Sequence, residues 1–505
     1  MHKSSIMVDQ HQFRFYNVKP RVFVISDISN EPDDAESLVR FLLYANEFDI
    51  KGLVACTSTW MKSAVHPEDM ETIIRAYKQV VTNLSAHVHP DNPYPSAEHL
   101  LGLIRSGPSV YGKRALESGV PLSGGAALLI DQLSASSDEP LWVLCWGGTN
   151  VLAQALHHIH QSQSASDSAR LRSRLRVYSI SDQDDTGLWI RITYPDVFYI
   201  CSIHGWNQYA MATWVGISGD IIHKFDEDGP DITKVTASWL KKHIQIGPLG
   251  GVYPDYKFIM EGDTPTFLYL IQNGLGAPEH PEWGSWGGRY NLVDLGGAAR
   301  HYSDATDSVI GKDGKVYTSN KATIWRWRDA YQNDFAARIQ WTLSADPSSA
   351  NHAPVVIVND SHGPEPLLIF IEAGEEVVLD ASKSYDSDGD KLTFSWFQYK
   401  EPTAGSTGLV DAQIPNLDIS HVGDAHGPGN KVKFTLPPPE KCAIDLLSGQ
   451  AQSKGQVFHV IVEVKDDGYP CLCSYKRVVI QVTNRQLRGG RDRAVETVTE
   501  WLQFQ

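Results

Sequence analysis

Arg21-Val-Phe-Val-Ile-Ser26 runs directly into Asp27-Ile-Ser29-Asn30-Glu31-Pro32-Asp33-Asp34 and then into Ala35-Glu-Ser-Leu38-Val39-Arg-Phe-Leu42-Leu43. The first six residues are short, apolar and β-branched, which predicts a buried strand. Ala35, Leu38, Val39, Leu42 and Leu43 fall at i, i+3, i+4, i+7 and i+8, the apolar face of a helix. Between them lie four acids in eight positions. Asp33 and Asp34 fall in the first helical turn, where the helix dipole favours negative charge. Capping and dipole contacts account for that pair but not for Asp27 and Glu31 as well. Adjacent carboxylates raise one another's pKa, so such a cluster calls for a cation or a substrate.

The same alternation continues outward. Lys51 to Thr57 reads as a strand ending in Ser58-Thr59-Trp60, and Leu141 to Trp146 as a strand that breaks at Gly147-Gly148 before a helix carrying Leu152, Ala155, Leu156 and Ile159. Leu175 to Ile180 is a further strand, ending in Asp182-Gln183-Asp184-Asp185. Strands alternating with helices predict an α/β fold, a mostly parallel sheet with helices on both faces. Ligands of such sheets bind beyond the carboxyl ends of the strands, where all these polar clusters fall. Residues 342–354 form a linker without periodicity. Beyond it Leu367 to Ile371, Glu376 to Leu379, Leu392 to Tyr399, Val457 to Val464 and Arg477 to Val482 read as strands, with a helical pattern only in the last few residues. The expected organisation is an α/β domain over 20–341 and a smaller immunoglobulin-like β-sandwich over 355–484.

With 505 residues the chain is long enough for two cores. A net charge of -16 argues against nucleic acid and anionic membranes, which require clustered Lys and Arg. Six cysteines are scattered, and Cys471 and Cys473 do not match a zinc spacing. Residues 1–20 do not read as a signal peptide, which leaves the compartment open between cytoplasm and secretion after loss of a leader. Fourteen Trp and twenty Tyr suit either a large aromatic core or stacking on sugar rings.

The acidic string resembles the Asp-rich N-terminal signature of nucleoside hydrolases, with Asn30-Glu31 inserted and Ser29 where those enzymes carry Gly. Together with Ser37 to Arg40, Tyr44 to Phe48, Thr57 to Trp60, Trp146 to Asn150, Glu261 to Pro265, Pro278 to Tyr290, Trp325 to Trp327 and Asp334-Phe335, it resembles the cellulose-binding proteins that carry a nucleoside-hydrolase-like domain. That resemblance implies calcium held by Asp27, Asp34, the backbone carbonyl near Cys145 and Asp263, an oxygen shell suited to a hard cation. It implies Asp33 as the general base on the attacking water. Glu31 would replace a ligand or serve as the acid toward an O-linked leaving group, and Asp263 would sit among the reacting groups. The expected partner is a carbohydrate.

Other stretches supply candidate substrate contacts. Asn30 lies within the acidic junction, and Trp60 follows the strand Lys51 to Thr57. Asn150, after Gly147-Gly148-Thr149, either caps a helix or faces a ligand. Asp182 and Asp184 either hold sugar hydroxyls or form a solvated turn. Glu261 either favours a helix N-terminus or belongs to the site. Trp283, Trp286 and Arg289 lie in a Gly- and Trp-rich loop read as substrate-lining, against a structural Trp clamp. Asp386, Asp388 and Asp390 are read as Asp-Gly turn chemistry. The expected function is hydrolysis of a glycosidic bond, O-linked in preference to a nucleoside's. The alternative is carbohydrate binding without turnover, and a third reading is assembly, such as a homodimer, through the sandwich.

Overall fold

A computed structural model describes residues 9–137, 139–294, 296–405, 414–423, 429–445 and 448–487. The helical pattern of the last few residues lies outside this set. Two compact units result: one comprises Phe15–Ile271 and Ser285–Ala350, and the other draws on 1–14, 272–284 and 351–505. Residues 272–284 group with the second unit, although 20–341 surrounds them in sequence.

The first unit is built on an eight-stranded sheet. Its strands are β1 (Arg21–Ser26), β2 (Asp49–Ala55), β3 (Ile104–Ser106), β4 (Leu141–Cys145), β5 (Leu175–Ser181), β6 (Phe198–Ser202), β7 (Tyr290–Leu292) and β8 (His301–Asp304), in the order β3-β2-β1-β4-β5-β6-β8-β7. All neighbours are parallel except β7 and β8. Every residue of β1 and β4 is buried, as a parallel sheet covered on both faces requires. From β1 the chain winds toward β2 and β3, and from β4 toward β5 and β6. The order therefore reverses between β1 and β4, and a crevice opens at their carboxyl ends. Helix α1 (Asp33–Leu43) leaves β1 there, and the helix Asn150–Ser162 leaves β4 beside it.

In the second unit, one sheet orders Leu367–Glu372, Cys473–Thr483, Lys454–Lys465 and Thr393–Gln398, and another orders Glu376–Asp380, Lys431–Thr435 and Ser420–His421. Leu379, Val432, Phe434, Phe458, Val462 and Ile480 fill the core of this all-β unit. Burial alternates along the strands, as at Glu376–Asp380, where Val377 and Leu379 face inward. Among the described residues no helix is long and apolar enough to cross a membrane.

Candidate functional site

The acidic junction falls at the reversal point. After β1 the Ser26 hydroxyl donates to Asp34 Oδ1 (2.5 Å) and accepts from the Ile28 amide (3.1 Å), which folds the chain back over the strand end. Ser29 takes φ +84, the left-handed conformation that glycine holds most easily, and its hydroxyl donates to Asp69. Asp33 and Asp34 then open α1. From the far end of the unit, Glu261-Gly262-Asp263 brings a third carboxyl group. Asp33, Asp34 and Asp263 each offer an oxygen within 4.8 Å of the others.

This convergence is held by a buried lattice. Glu261 takes φ +55, its amide donates to Glu36 Oε2 (2.8 Å), and its carboxylate receives Arg40 (2.6 Å) and the Tyr253 hydroxyl (3.0 Å). Arg40 also donates to Gln332 Oε1 and to the Tyr331 carbonyl. Gly262 follows because a Cβ there would lie 2.7 Å from Asp33 Oδ2, and Gly147 because one would lie 2.5 Å from Asp27 Oδ1. These two glycines let backbone pass directly beside the carboxylates.

Above the acids is a cavity of about 780 Å³. Asp27, Asn30, Glu31, Asp33 and Asp34 form one wall, and Trp60, Trp206, Tyr209, Trp214 and Phe258 stand around it, with His223 and Lys257 also on its lining. Trp214 is anchored by its indole N–H to Ser181 Oγ (3.0 Å). Tyr209 meets Trp214 edge-on, with ring centroids 5.3 Å apart.

The electrostatics are those of a desolvated anion cluster. Burial, with the charges of Glu31 and Asp27, pushes the Asp33 carboxyl up to about 8. Burial raises Asp27 to about 6 against a hydrogen bond from Ser58. Asp34 and Asp263 are raised well above the usual carboxylate range by burial and then by the neighbouring aspartates, and Glu31 is raised by burial. Asp33 keeps some contact with the solvent of the cavity, whereas Asp34 and Asp263 are buried. Asp27 Oδ2 and both carboxylate oxygens of Asp263 are buried without a hydrogen-bond partner. Buried polar atoms are otherwise satisfied almost everywhere in folded proteins. These orphaned oxygens, with Asp34 beside them, fit a hard divalent cation such as calcium. Cys145 closes β4 next to β1, its thiol packed in the hydrophobic core, so only its backbone is a candidate donor.

Several residues singled out from sequence are engaged elsewhere. Asn150 is buried and donates to Thr57 Oγ1 and the Val110 carbonyl (both 2.9 Å), tying loops behind the site. Asp184 accepts from Thr149, from the Asn150 amide and from Thr186, a capping role rather than a sugar contact. Asp182 pairs with Arg191 (2.8 Å) and does not line the cavity. Glu261 is consumed by Arg40. Trp286 is buried in the first unit, with 1% exposure, and Arg289 is locked on Asp307 (2.7 Å). Trp283 belongs to the second unit, stacked on His280 at 3.9 Å with its carbonyl accepting from Arg477. In the stretch Glu279 to Tyr290 the Arg289 cation and the Trp283 and Trp286 rings are each engaged by protein groups. Reading the sequence missed Trp206, Tyr209, Trp214 and Phe258. The available signal was the aromatic run Trp206 to Trp214, which lacks any aliphatic period.

Reversed strand order, acids at the reversal point and a left-handed turn into α1 define a nucleoside-hydrolase-like α/β protein with an added β-sandwich domain. The chain belongs to the cellulose-binding Sde182 family: that family's nucleoside hydrolase-like domain matches residues 21–290, and the C-terminal domain of cellulose-binding protein Sde0182 matches residues 376–482. Among solved structures, a nucleoside hydrolase-related hypothetical protein from Saccharophagus degradans, described as associated with carbohydrate metabolism, is 30% identical. The match covers 92% of this chain and 100% of that one, with a TM-score of 0.73. The effector protein XOO4466 is 12% identical over 65% of this chain and 95% of that chain, at a TM-score of 0.32. No match was found among curated proteins.

Proposed function

We propose that the cavity binds carbohydrate and that its carboxylates hydrolyse a glycosyl bond, O-linked in preference to a nucleoside's. One observation carries this reading. Asp27 and Asp263 keep buried oxygens without partners in a cluster with Asp33 and Asp34, beneath an aromatic-rimmed cavity. Such a floor is unfavourable unless cation or sugar hydroxyls complete it.

Asp33 is the general base. A carboxyl near 8 is matched to taking a proton from water around neutral pH, and its contact with the cavity leaves room for that water. Glu31, also on the lining and raised by burial, carries a proton toward an oxygen leaving group. The aspartates that remain ionised favour an oxocarbenium-like transition state. Asp27, Asp34, Asp263 and the carbonyl at Cys145 would hold calcium, which supplies a hard Lewis acid for sugar hydroxyls and water. Asn30 contacts the ring over the carboxylates, and Trp60 meets the substrate at the rim of the cavity.

The second reading, binding without turnover, is favoured by the description of the family as cellulose-binding. The purified chain is incubated with nucleosides and aryl glycosides, with and without chelator. Release of free sugar that Asp33→Asn abolishes, with the fold intact, supports hydrolysis. Retention on insoluble glucan that survives Asp33→Asn, with no release from any substrate, supports binding alone.

A further inference from the structure

Two tryptophans at the mouth of the cavity are half in water, Trp60 at 51% and Trp206 at 54% exposure. Scattered apolar side chains on a surface need no explanation, but these two adjoin and line one cavity. They come from separate strand ends, Trp60 after β2 and Trp206 after β6. Their ring centroids are 5.7 Å apart, and Trp206 stacks on Tyr209 at 5.1 Å and 20°. Tyr209 thus backs Trp206 and steadies it as a platform. The acids lie deeper: Asp27, Asp34 and Asp263 are only 2%, 3% and 1% exposed.

We infer that the site has two parts and takes the end of a saccharide chain: one terminal ring over the carboxylates, the next stacked at the tryptophan rim. The inference rests on the proposed reading of the floor as a sugar site. Pyranoses with equatorial hydroxyls present C–H groups on both faces, the surface that suits the negative face of an indole. On this reading a single sugar occupies the floor and leaves the rim idle. The planes of Trp60 and Trp206 meet at 89°, so the two rings cannot both stack on one flat glucan face. The occupant on this reading is a free chain end entering the cavity, not the side of a packed fibre.

The test is isothermal titration of the full chain, in calcium, with glucose, cellobiose, cellotetraose and adenosine as probes. Cellobiose is expected to bind roughly tenfold tighter than glucose, about what one well-placed stacking contact supplies, and cellotetraose little tighter than cellobiose. The Trp60→Ala/Trp206→Ala variant should bring cellobiose down to the glucose level without changing glucose, and Trp206→Tyr should keep most of the gain. Both side chains are half exposed, so an unchanged melting temperature establishes that the variants fold. Equal affinity for glucose and cellobiose, a gain that persists in the double variant, or adenosine binding that exceeds cellobiose and depends on Trp206 overturns the inference while leaving the floor as a sugar site. Absence of binding by every sugar, with Asp34→Asn indistinguishable from wild type, overturns the underlying reading as well.

Discussion

Asp33→Asn is expected to stabilise the protein while abolishing any hydrolysis. The carboxyl is raised from its ordinary 3.8 to about 8 by burial and by Glu31 and Asp27. At about 1.4 kcal/mol per pH unit, that rise bounds the penalty for folding with Asp33 ionised at roughly 6 kcal/mol. Two things reduce it. Asp33 retains contact with solvent in the cavity, and the repulsion is shared with Asp27 and Glu31, which relax when it is removed. Asn also forgoes a favourable charge at the first turn of α1, worth about 0.3–1 kcal/mol. The net expectation is a gain of ~1–2 kcal/mol at pH 7.5 in chelator, where the unfolded carboxylate is fully ionised. Urea denaturation followed by intrinsic tryptophan fluorescence reads it directly. A loss of stability on Asp33→Asn would refute the reasoning, because it would mean that the carboxylate is satisfied by the fold rather than strained by it.

Further expectations follow from the same site. Because the Asp27 and Asp33 carboxyls are raised to about 6 and about 8, the folded chain holds protons that the unfolded chain has released. Their contribution is complete below about pH 4 and is lost as pH rises through 6 to 8. Chelated protein should therefore melt higher at pH 5.5 than at pH 8, and calcium should raise the melting temperature more at pH 8, where its ligands are ionised. Arg40→Met should cost ~3–5 kcal/mol in urea denaturation by stranding Glu261, and adding Glu261→Gln should recover part of that loss. Gly262→Ala should displace Asp33 and depress activity or sugar affinity with little change in far-UV circular dichroism, since its Cβ would intrude on Asp33 Oδ2. Trp286→Ala should destabilise by ~3–5 kcal/mol, whereas Trp60→Ala should move stability by under ~0.5 kcal/mol.

Much of the α/β unit is readable from local pattern. Arg21–Ser26 is the strand its composition predicts, and α1 buries Leu38, Val39, Leu42 and Leu43 as its period requires. The sandwich strands lie within a few residues of their predicted bounds, Val457 to Val464 extending to Lys454–Lys465. The acidic junction is legible because four acids in eight residues exceed what a helix terminus needs. What sequence does not disclose is pairing across distance. Arg289 is neutralised by Asp307, Glu261 by Arg40 and Asp182 by Arg191, and none of these partners is marked by a local pattern. Likewise, Trp206 and Tyr209 reach the cavity only because β6 ends two strands from β4, a consequence of sheet order rather than of their own segment.

The most direct measurement is a crystal structure of the chain grown with calcium and soaked in cellobiose. A metal ion touching Asp34 and Asp263, with a sugar ring between those carboxylates and Trp206, is the predicted result. Sugar bound only on the β-sandwich unit, with the cavity above Asp27 and Asp33 holding water alone at saturating ligand, would contradict the account.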